Sequence, residues 1–424
     1  MASNPKVEPA RPRSVHPTGR YAALQVDPAK SERIPGLFTS GSGLFWKFMV
    51  ALVAVVAGTS HLTRWWVLRD EKSATSPMPA AVQAAPAPAA TPAASPAVLD
   101  TPQADSPWQL VDPEPVFVEG QAMPLRALVR VPATMKPRKH PLAVIVHGTH
   151  GLFRHGDNVD RCPEPGGSRP RGSALVNSAA GMVWIADALA AQGMVSAILD
   201  AGAVTCVFGL PGAHKRKELA LGLLKRWSGW QTRGDGPLPS AVMDAADLNR
   251  IVLVGHSSGA DGVALVASEL AHPRNPLAGQ VQAAAALLIT PPDFVRLPHM
   301  PCPVAVWVAG CDGDVGAGTG ERMFERWASA AAGQQSVLWT ASGGVHNAAN
   351  DQWRDEVSDG ATSPCAASVK LGVQADRALL GAAAAAWLGA VVRRETPPAW
   401  TTGSGAAPQA AGPGAANWKV RAQP

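Results

Sequence analysis

One short motif constrains the fold of this chain more than any other feature. An apolar, mostly β-branched run over Ile251–Val254 leads directly into a G-x-S-x-G pentapeptide, with Ser257 between Gly255 and Gly259. An amphipathic stretch follows, so the sequence predicts a strand, a tight turn and a helix that presents the serine at its N-terminus. Glycines suit so sharp a turn because a side chain there would clash with neighbouring backbone. We interpret Ser257 as a nucleophile, and an ordinary glycine-rich strand–helix turn is the alternative.

The rest of the central region alternates short apolar runs with helix-like stretches. Such alternation predicts an α/β fold with a mostly parallel central sheet and helices on both faces. Val116–Val118 and Leu125–Val131 are expected to open it as an antiparallel pair. The predicted sheet strands that follow are Leu142–Val146, Val195–Leu199, Ile251–Val254, Ala283–Ile289, Val304–Ala309 and Ser336–Thr340. The clearest predicted helices are Ala179–Ala191 and Val263–Leu270.

Changes in composition divide the chain into five regions. Residues 1–43 are polar, basic and proline-rich, and are expected to be disordered. Residues 44–68 contain an uninterrupted apolar run and are predicted to be a signal-anchor, that is, a transmembrane segment, with a cleaved signal peptide as the alternative. Residues 69–107 form an Ala/Pro-rich linker. Residues 108–393 are the predicted α/β catalytic domain, and 394–424 are predicted to be a disordered tail.

The formal charge is concentrated before the apolar run. Seven basic residues against three acidic ones precede residue 48, which accounts for most of the net charge of +5. The remainder is close to neutral, so the composition indicates no nucleic-acid partner. A basic flank beside an apolar run is typical of a membrane-orienting signal. The sequence therefore predicts a membrane-anchored protein whose folded domain is periplasmic or extracellular, and which is secreted if the segment is cleaved.

A second loop with catalytic character follows the predicted strand Leu142–Val146. It begins His-Gly and continues with Thr149 and His150. Where a G-x-S-x-G serine is the nucleophile, the loop after such a strand donates one backbone N–H to the oxyanion, and the residue after the serine donates another. We therefore predict an oxyanion hole formed by Thr149 and Ser258, with His150 as second choice. Three histidines crowd this loop, but none has the spacing of a structural zinc site, so no metal or cofactor is predicted.

Two later strands are followed by a predicted acid and a predicted base. The fifth predicted strand leads to Asp312 and Asp314, and the sixth leads to a glycine loop and His346, the last histidine of the chain. We predict Asp312 as the acid, with Asp314 as the alternative, and His346 as the base that takes the Ser257 proton. A calcium loop is not indicated, because Met323 stands where the closing glutamate would lie.

Five cysteines lie in the predicted catalytic domain, and no two of them form a C-x-x-C pair. Zinc-ribbon and thioredoxin-type chemistry are therefore not indicated. In an exported domain, up to two disulfides can form, with one thiol left over. Cys311 and Cys365 are the first choice for a pair, because each lies near a predicted catalytic loop. Buried free cysteines are the alternative.

With these residues in place, the chain resembles exported bacterial α/β-hydrolases related to the chlorophyllase-like and polyester-hydrolase (cutinase-like) groups. The resemblance implies an α/β-hydrolase fold, a Ser257–Asp312–His346 triad and an esterase- or lipase-like activity. Many such relatives carry a basic residue and a second glycine where this chain has Ser258 and Ala260, so details of the pocket are not carried over. The matching segments are Val144–Gly151, Gly181–Gly193, Asn249–Val263, Cys311–Val315 and His346–Trp353.

The sequence thus predicts a serine carboxylic-ester hydrolase that acts on a small-molecule or lipid-like ester through an acyl-enzyme on Ser257. One alternative is a catalytically silent, membrane-tethered binding module, and another is an acyltransferase or peptidase that uses the same residues. The segment 152–180 is expected to form a loop over the active site, and 207–240 a partial lid. Trp227 and Trp230 are expected to pack in the core, with the lining of an apolar pocket as the alternative. No oligomeric state is indicated.

Overall fold

Strands and helices alternate through most of the residues that the structure describes. The computed structural model describes residues 107–135, 138–155, 159–163, 171–328, 335–353, 365–366, 368–406 and 418–422. The strands are β1 (Trp108–Val111), β2 (Val116–Val118), β3 (Gln121–Met123), β4 (Arg126–Arg130), β5 (His140–Val146), β6 (Phe153–His155), β7 (Val159–Arg161), β8 (Ala174–Leu175), β9 (Val195–Leu199), β10 (Ala246–His256), β11 (Ala283–Ile289), β12 (Val304–Ala309), β13 (Ser336–Ala341) and β14 (Trp418–Ala422). The α-helices are α1 (Val183–Ala191), α2 (Gly209–Arg233), α3 (Ser240–Ala245), α4 (Ser258–Ala271), α5 (Ala317–Ala328) and α6 (Val373–Arg393). Short 3-10 helices lie at Ala180–Met182, Gly202–Val204, His346–Ala349 and Ala399–Thr401.

Nine of these strands form one large mixed sheet whose central part is parallel. Their order across the sheet is β1-β4-β9-β5-β10-β11-β12-β13-β14. All neighbouring pairs from β9 to β13 are parallel, whereas the outer pairs β1–β4, β4–β9 and β13–β14 are antiparallel. Continuous hydrophobic runs form such central strands because both of their faces are covered. The predicted α/β fold with a mostly parallel sheet is confirmed at this level.

Each face of the sheet carries its own helices and its own hydrophobic core. Val144 of β5 belongs to a core shared with α2, α4 and α5, and the next residue, Ile145, belongs to a second core shared with α1 and α6. This division follows from the strand itself, because successive side chains point to opposite faces. Trp227 of α2 and Trp387 of α6 are fully buried in the first and second core. The predicted placement of helices on both faces is therefore confirmed.

The strand order reverses at β5, which has β9 on one side and β10 on the other. In open parallel sheets such a switch point leaves a crevice outside the carboxyl ends of the two strands. β5 ends at Val146 and β10 ends at His256. The His-Gly loop and the G-x-S-x-G turn therefore both begin at this crevice.

The opening strands pair differently from the sequence prediction. β2 pairs with β3 in a hairpin, whereas β4 pairs with β1 and β9 in the main sheet. The predicted pairing of Val116–Val118 with Leu125–Val131 is therefore wrong. Glu119 and Gly120 explain the difference: both have positive φ, 50° and 78°. That is the conformation that closes a two-residue hairpin.

The C-terminal segment contains ordered structure where disorder was predicted for 394–424. β14 pairs antiparallel with β13 at the sheet edge, and a 3-10 helix at Ala399–Thr401 precedes it. The ring of Trp418 lies with its centroid 5.5 Å from that of Trp307 and 5.8 Å from that of Trp339. Apolar and basic residues alternate along this strand, a pattern that the Pro/Gly/Ala-rich composition before it conceals. The predicted disorder is wrong for these residues, and the folded domain extends past residue 393.

One helix in the described part of the chain is long and apolar enough to cross a membrane. It is α6, and 61% of its most apolar window is buried. It packs against α1 and β11, so it is a core helix of this fold. The predicted signal-anchor at 44–68, the tail at 1–43 and the linker up to residue 106 lie outside the described residues.

Candidate functional site

Ser257 lies at the sharp turn between β10 and α4. Its φ of 54° and ψ of −130° lie outside the regions that ordinary residues favour. Lack of space requires glycine on both sides: a Cβ on Gly255 would overlap the backbone of Gly259, and one on Gly259 would overlap the carbonyl oxygen of Val146. The turn presents the serine at a helix N-terminus, where the helix dipole favours negative charge. The predicted strand, turn and helix are confirmed.

The His-Gly loop after β5 lies directly against this serine. A Cβ on Gly148 would lie 2.5 Å from Ser257 Cβ and 2.8 Å from the carbonyl oxygen of His256. Only glycine lets the two backbones approach so closely. The fold therefore brings together the two loops that the sequence assigned to the nucleophile and to the oxyanion hole.

The two predicted oxyanion donors are neighbours. Thr149 Oγ1 donates a hydrogen bond to Ser258 Oγ at 3.0 Å. Within the described residues, neither the N–H of Thr149 nor that of Ser258 donates to a protein acceptor. The N–H of His150, the second choice, instead donates to the carbonyl oxygen of Thr205 at 3.2 Å. Thr149 and His150 are the first and second choices in the His-Gly loop. Of these two, only Thr149 has an N–H that lacks a protein acceptor among the described residues.

The predicted base and acid are in direct contact. His346 Nδ1 lies 2.8 Å from Asp312 Oδ2, and both side chains are almost fully buried. The second oxygen, Asp312 Oδ1, accepts the N–H groups of Asp314 and Val315, each at 2.9 Å. Asp314 lies on the other side of the ring, with Oδ2 3.8 Å from His346 Nε2. Asp312 therefore has the geometry of an orienting acid, and Asp314, the alternative, does not make that contact.

The two aspartates also differ in pKa. Burial acts to raise the pKa of Asp312, but His346 and the N–H groups of Val315 and Asp314 outweigh it, so the pKa is lowered from its ordinary value. Burial raises the pKa of Asp314, and the charge of Asp312 adds to this against the opposing effect of His346. A lowered pKa keeps Asp312 ionised at neutral pH, as a carboxylate that orients an imidazole must be.

Polar bonds from two neighbouring elements hold the loop that carries His346. Its carbonyl oxygen accepts the Nε2–H of His256, which directly precedes the serine, at 3.0 Å. The N–H of Val345 donates to Asp376 Oδ2, on the first turn of α6, at 3.1 Å. The loop that carries the predicted base is thus fastened to the serine turn on one side and to a core helix on the other.

A row of four aromatic rings links the three loops of the site. The ring of His150 stacks on that of Trp353, with centroids 4.4 Å apart. Trp353 faces His256 at 4.9 Å, and His256 faces His346 at 5.0 Å. Burial, followed by the charge of His346, lowers the pKa of His256 well below its ordinary value, so this ring stays neutral. Sequence reasoning missed Trp353, because the stacked rings come from segments far apart in the chain.

The segment 152–180 is attached to the residues that follow His346, the predicted base. In its described part, β6, β7 and β8 form a small three-stranded sheet. Arg154 Nη2 donates to the carbonyl oxygen of Gln352 at 2.6 Å, and Trp353 Nε1 donates to Ser178 Oγ at 2.9 Å. The described part of this insertion therefore borders the site.

The region 207–240 is not a lid. Most of it is α2, a 25-residue helix that packs against α4. Trp227 is 0% and Trp230 is 5% exposed, and Trp227 Nε1 donates to the carbonyl oxygen of Met243 at 3.2 Å. The predicted partial lid is wrong, and the expected core packing of the two tryptophans is confirmed. The buried residues of α2 recur at helical spacing and form one stripe, which packs mainly against α4.

Two disulfides and one buried thiol account for the cysteines. Cys311 pairs with Cys365, the first-choice pair, and Cys162 pairs with Cys206. Cys302 is a buried free thiol. Because Cys311 directly precedes the predicted acid, the first bridge fastens the acid loop.

The geometry is all that bears on the function of the site. Comparison with protein-family models and with curated proteins found no match to this chain. Within the described residues, no group of three or more His, Cys, Asp and Glu side chains is placed to hold a metal ion. What the site offers is a serine at a strained turn, an imidazole oriented by a carboxylate, and two N–H groups beside the serine.

Proposed function

We propose that this protein is a serine hydrolase of the α/β-hydrolase class that cleaves carboxylic esters through an acyl-enzyme on Ser257. The observation that carries the proposal is the strained serine turn at the same sheet edge as the buried His346–Asp312 pair. β10, β12 and β13 run parallel, and the serine, acid and base loops follow their carboxyl ends. The resemblance to chlorophyllase-like and polyester-hydrolase groups forms part of the same proposal.

The proposed reaction begins with attack of Ser257 Oγ on the ester carbonyl carbon while His346 Nε2 takes the hydroxyl proton. Asp312 keeps the other imidazole proton on Nδ1 and stabilises the imidazolium. The N–H groups of Thr149 and Ser258 bind the oxyanion. The imidazolium then protonates the departing alcohol, which leaves an acyl-serine. A water molecule, deprotonated by the same imidazole, then attacks the acyl carbon. The bond to Ser257 Oγ breaks, the imidazolium returns the proton to Ser257, and the carboxylic acid is released.

Backbone strain at the serine favours a catalytic role over a silent binding module. A non-glycine residue in such a conformation costs on the order of 1–3 kcal/mol, and such residues cluster at active sites. Ser257 has a φ of 54° in a turn whose neighbouring glycines admit no side chain. A binding module has no need for a serine in this conformation.

Covalent labelling tests the proposal. A fluorophosphonate added to the full chain is expected to modify Ser257 alone, as read by peptide mapping. Ser257→Ala is expected to abolish both labelling and turnover of a panel of esters of graded acyl length. Ser268→Ala, which removes a hydroxyl from the same helix, is the matched control and is expected to retain both. Folded wild-type protein that stays unlabelled would reject the proposal.

Product analysis separates the proposed hydrolysis from acyl transfer and from peptide cleavage. With an ester substrate and an added alcohol or amine, a hydrolase yields mainly free acid, whereas an acyltransferase yields mainly the new ester or amide. Cleavage of peptides in preference to esters would instead identify a peptidase. The predicted small-molecule or lipid-like ester is then defined by the acyl length that gives the highest kcat/KM.

We also propose that the folded domain works outside the cytoplasm, anchored through residues 44–68. Its two disulfides support this, because such bonds persist in oxidising compartments. A C-terminal fusion to a phosphatase that folds only outside the cytoplasm is expected to be active. Activity of a reporter that works only in the cytoplasm would overturn this placement.

A further inference from the structure

Helix α2 places an arginine beneath the loop that carries the predicted oxyanion donor. Arg216 is fully buried, and burial lowers its pKa to about 9. In the part of the chain that the structure describes, no carboxylate lies within ion-pair distance of its guanidinium. A buried charge without a counter-ion is strongly unfavourable unless hydrogen bonds compensate it. The partners of this guanidinium therefore indicate what it does.

Four backbone carbonyls take the place of a counter-ion. Arg216 Nε donates to the carbonyl oxygen of His147 at 3.1 Å, and Nη2 donates to that of Gly148 at 2.9 Å. Nη1 donates to the carbonyl oxygens of Gly212 at 3.0 Å and Val207 at 3.5 Å. Two of these acceptors belong to the His-Gly loop, one to the first turn of α2 and one to the residue before its N-cap. The planar guanidinium thus bridges the helix and the loop, which the point charge of a lysine does not do as well.

Two glycines provide the space for this side chain. A Cβ on Gly262 of α4 would lie 2.9 Å from Arg216 Cβ, and a Cβ on Gly212 would lie 3.0 Å from Nη1. Both distances are shorter than ordinary carbon contacts. The packing of α2 on α4 therefore leaves a space that fits the arginine and its hydrogen bonds.

The peptide group between Gly148 and Thr149 connects this arrangement to the site. Its carbonyl oxygen accepts hydrogen bonds from Arg216 Nη2 and, at 3.0 Å, from His147 Nδ1. Its N–H is the predicted oxyanion donor. The Nδ1 of His147 carries the proton because Nε2 accepts the N–H of Ala201 at 3.1 Å. Burial, followed by the charge of Arg216, lowers the pKa of His147 to about 3, so this ring stays neutral.

We propose that Arg216 is a positioning residue for the oxyanion hole, which fixes and polarises the Gly148–Thr149 peptide so that its N–H stabilises the developing oxyanion. The inference rests on the proposed serine-hydrolase function. A peptide whose oxygen accepts a charge-assisted hydrogen bond becomes a stronger N–H donor, because hydrogen bonds in series polarise one another. Arg216 contacts backbone oxygens rather than reacting atoms, so its effect passes through the peptide.

Two substitutions test the inference in steady-state kinetics. Arg216→Met is expected to lower kcat by roughly 10- to 100-fold with less than about a threefold change in KM, because complete loss of an oxyanion donor lowers kcat by about 100- to 1,000-fold. Arg216→Lys keeps a charge without the planar fork and is expected to fall between the wild type and Arg216→Met. Arg226, on the same helix as Arg216, is 30% exposed and pairs with Asp112 and Glu114. Arg226→Met is the matched control and is expected to keep the wild-type kcat.

Two further readouts separate positioning from a purely structural role. All kcat values are taken per site titrated by fluorophosphonate, so that misfolded molecules are not counted. The affinity for a trifluoromethyl ketone, which forms a tetrahedral anion on Ser257, is expected to fall by the same factor as kcat/KM. A structural role would lower the titratable fraction or Tm and leave kcat per titrated site unchanged. That result would overturn the inference.

A measurement on the wild type covers the case in which neither variant folds. With ¹⁵N-labelled arginine, the Arg216 Nε–H signal is identified by its slow exchange with solvent. Formation of the phosphonate adduct on Ser257 is expected to shift that signal, and an unchanged signal contradicts the inference. Wild-type protein that neither labels nor turns over esters would reject the proposed function itself. Failure of the inference alone leaves the wild type labelled and active while the Arg216 variants keep full kcat.

Discussion

Two loops at the same sheet edge are held in place by different physical means. The turn around Ser257 is fixed by volume, since neighbouring backbone leaves no room for a side chain at any of the three surrounding glycines. The loop around His346 is fixed by specific bonds to Asp312 and His256 and by the neighbouring disulfide. A position fixed by volume tolerates no added atom, whereas one fixed by bonds depends on each partner and its protonation.

The largest effect is expected where the base loses its orienting bond. Asp312→Asn replaces the acceptor of His346 Nδ1–H and is expected to lower kcat by roughly 1,000- to 10,000-fold, because the imidazole then adopts the wrong tautomer. Asp314→Asn removes a carboxylate that makes no contact with Nδ1 and is expected to lower kcat by less than about tenfold. Ester hydrolysis at saturating substrate measures both.

This pair of variants also decides between the two acids. The substitutions are chemically identical and two residues apart, so general effects of losing a charge in this loop are matched. A larger loss from Asp314→Asn than from Asp312→Asn would reverse the assignment. Asp314 rather than Asp312 would then be the residue that orients His346.

The next effect is expected at the serine turn, from a single added methyl group. Gly148→Ala places a Cβ 2.5 Å from Ser257 Cβ, so the serine or the loop must move. A displacement of about 1 Å at a reacting group lowers the rate by about 100-fold, and we expect a loss of that size in the rate of fluorophosphonate labelling. Gly372→Ala is the control, since its Cβ meets no atom within 4 Å. Wild-type labelling of Gly148→Ala would show that bonds rather than volume fix this turn.

The sequence predicted the serine turn well because that turn is local. Ser257, its two glycines, the strand before them and the helix after them are contiguous, so one motif carries the whole geometry. The central strands were equally accessible, since a continuous apolar run predicts a buried parallel strand wherever it occurs. Asp312 and His346 were paired from their order along the chain, and the structure places the two side chains in contact.

What the sequence did not predict is non-local. Arg216 lies in a helix whose pattern suggested a lid, and only the fold shows its guanidinium on two carbonyls of a loop almost 70 residues earlier in the chain. Trp353 lies between the rings of His150 and His256, and this contact is visible only in the fold because the two histidines come from other segments. Trp418 lies in a short strand whose pairing partner, β13, is far away in sequence. A functional fragment of the domain therefore has to include residues up to 422.

The smallest effect concerns a carboxyl group buried on the helix that follows the serine turn. Asp261 of α4 is 0% exposed, and its Oδ2 accepts the N–H of Phe294 at 2.9 Å. Burial raises its pKa from 3.8 to about 7. The folded state therefore binds this proton more tightly than the unfolded state. The stabilisation of the folded state that results from this difference is complete at pH values below about 4. It is lost progressively as the pH rises towards 7.

Asp261→Asn removes this titration and is expected to flatten the pH dependence. Between about pH 5 and pH 8, the free energy of unfolding of the wild type should fall by about 1–3 kcal/mol more than that of the variant, as measured in urea. The exposed Asp244→Asn is the control and should behave as the wild type. Labelling of Ser257 should keep its wild-type rate in Asp261→Asn, because volume rather than charge fixes the turn. A labelling rate that follows the titration of Asp261 would instead show that the serine turn, like the base loop, depends on the protonation of a neighbour.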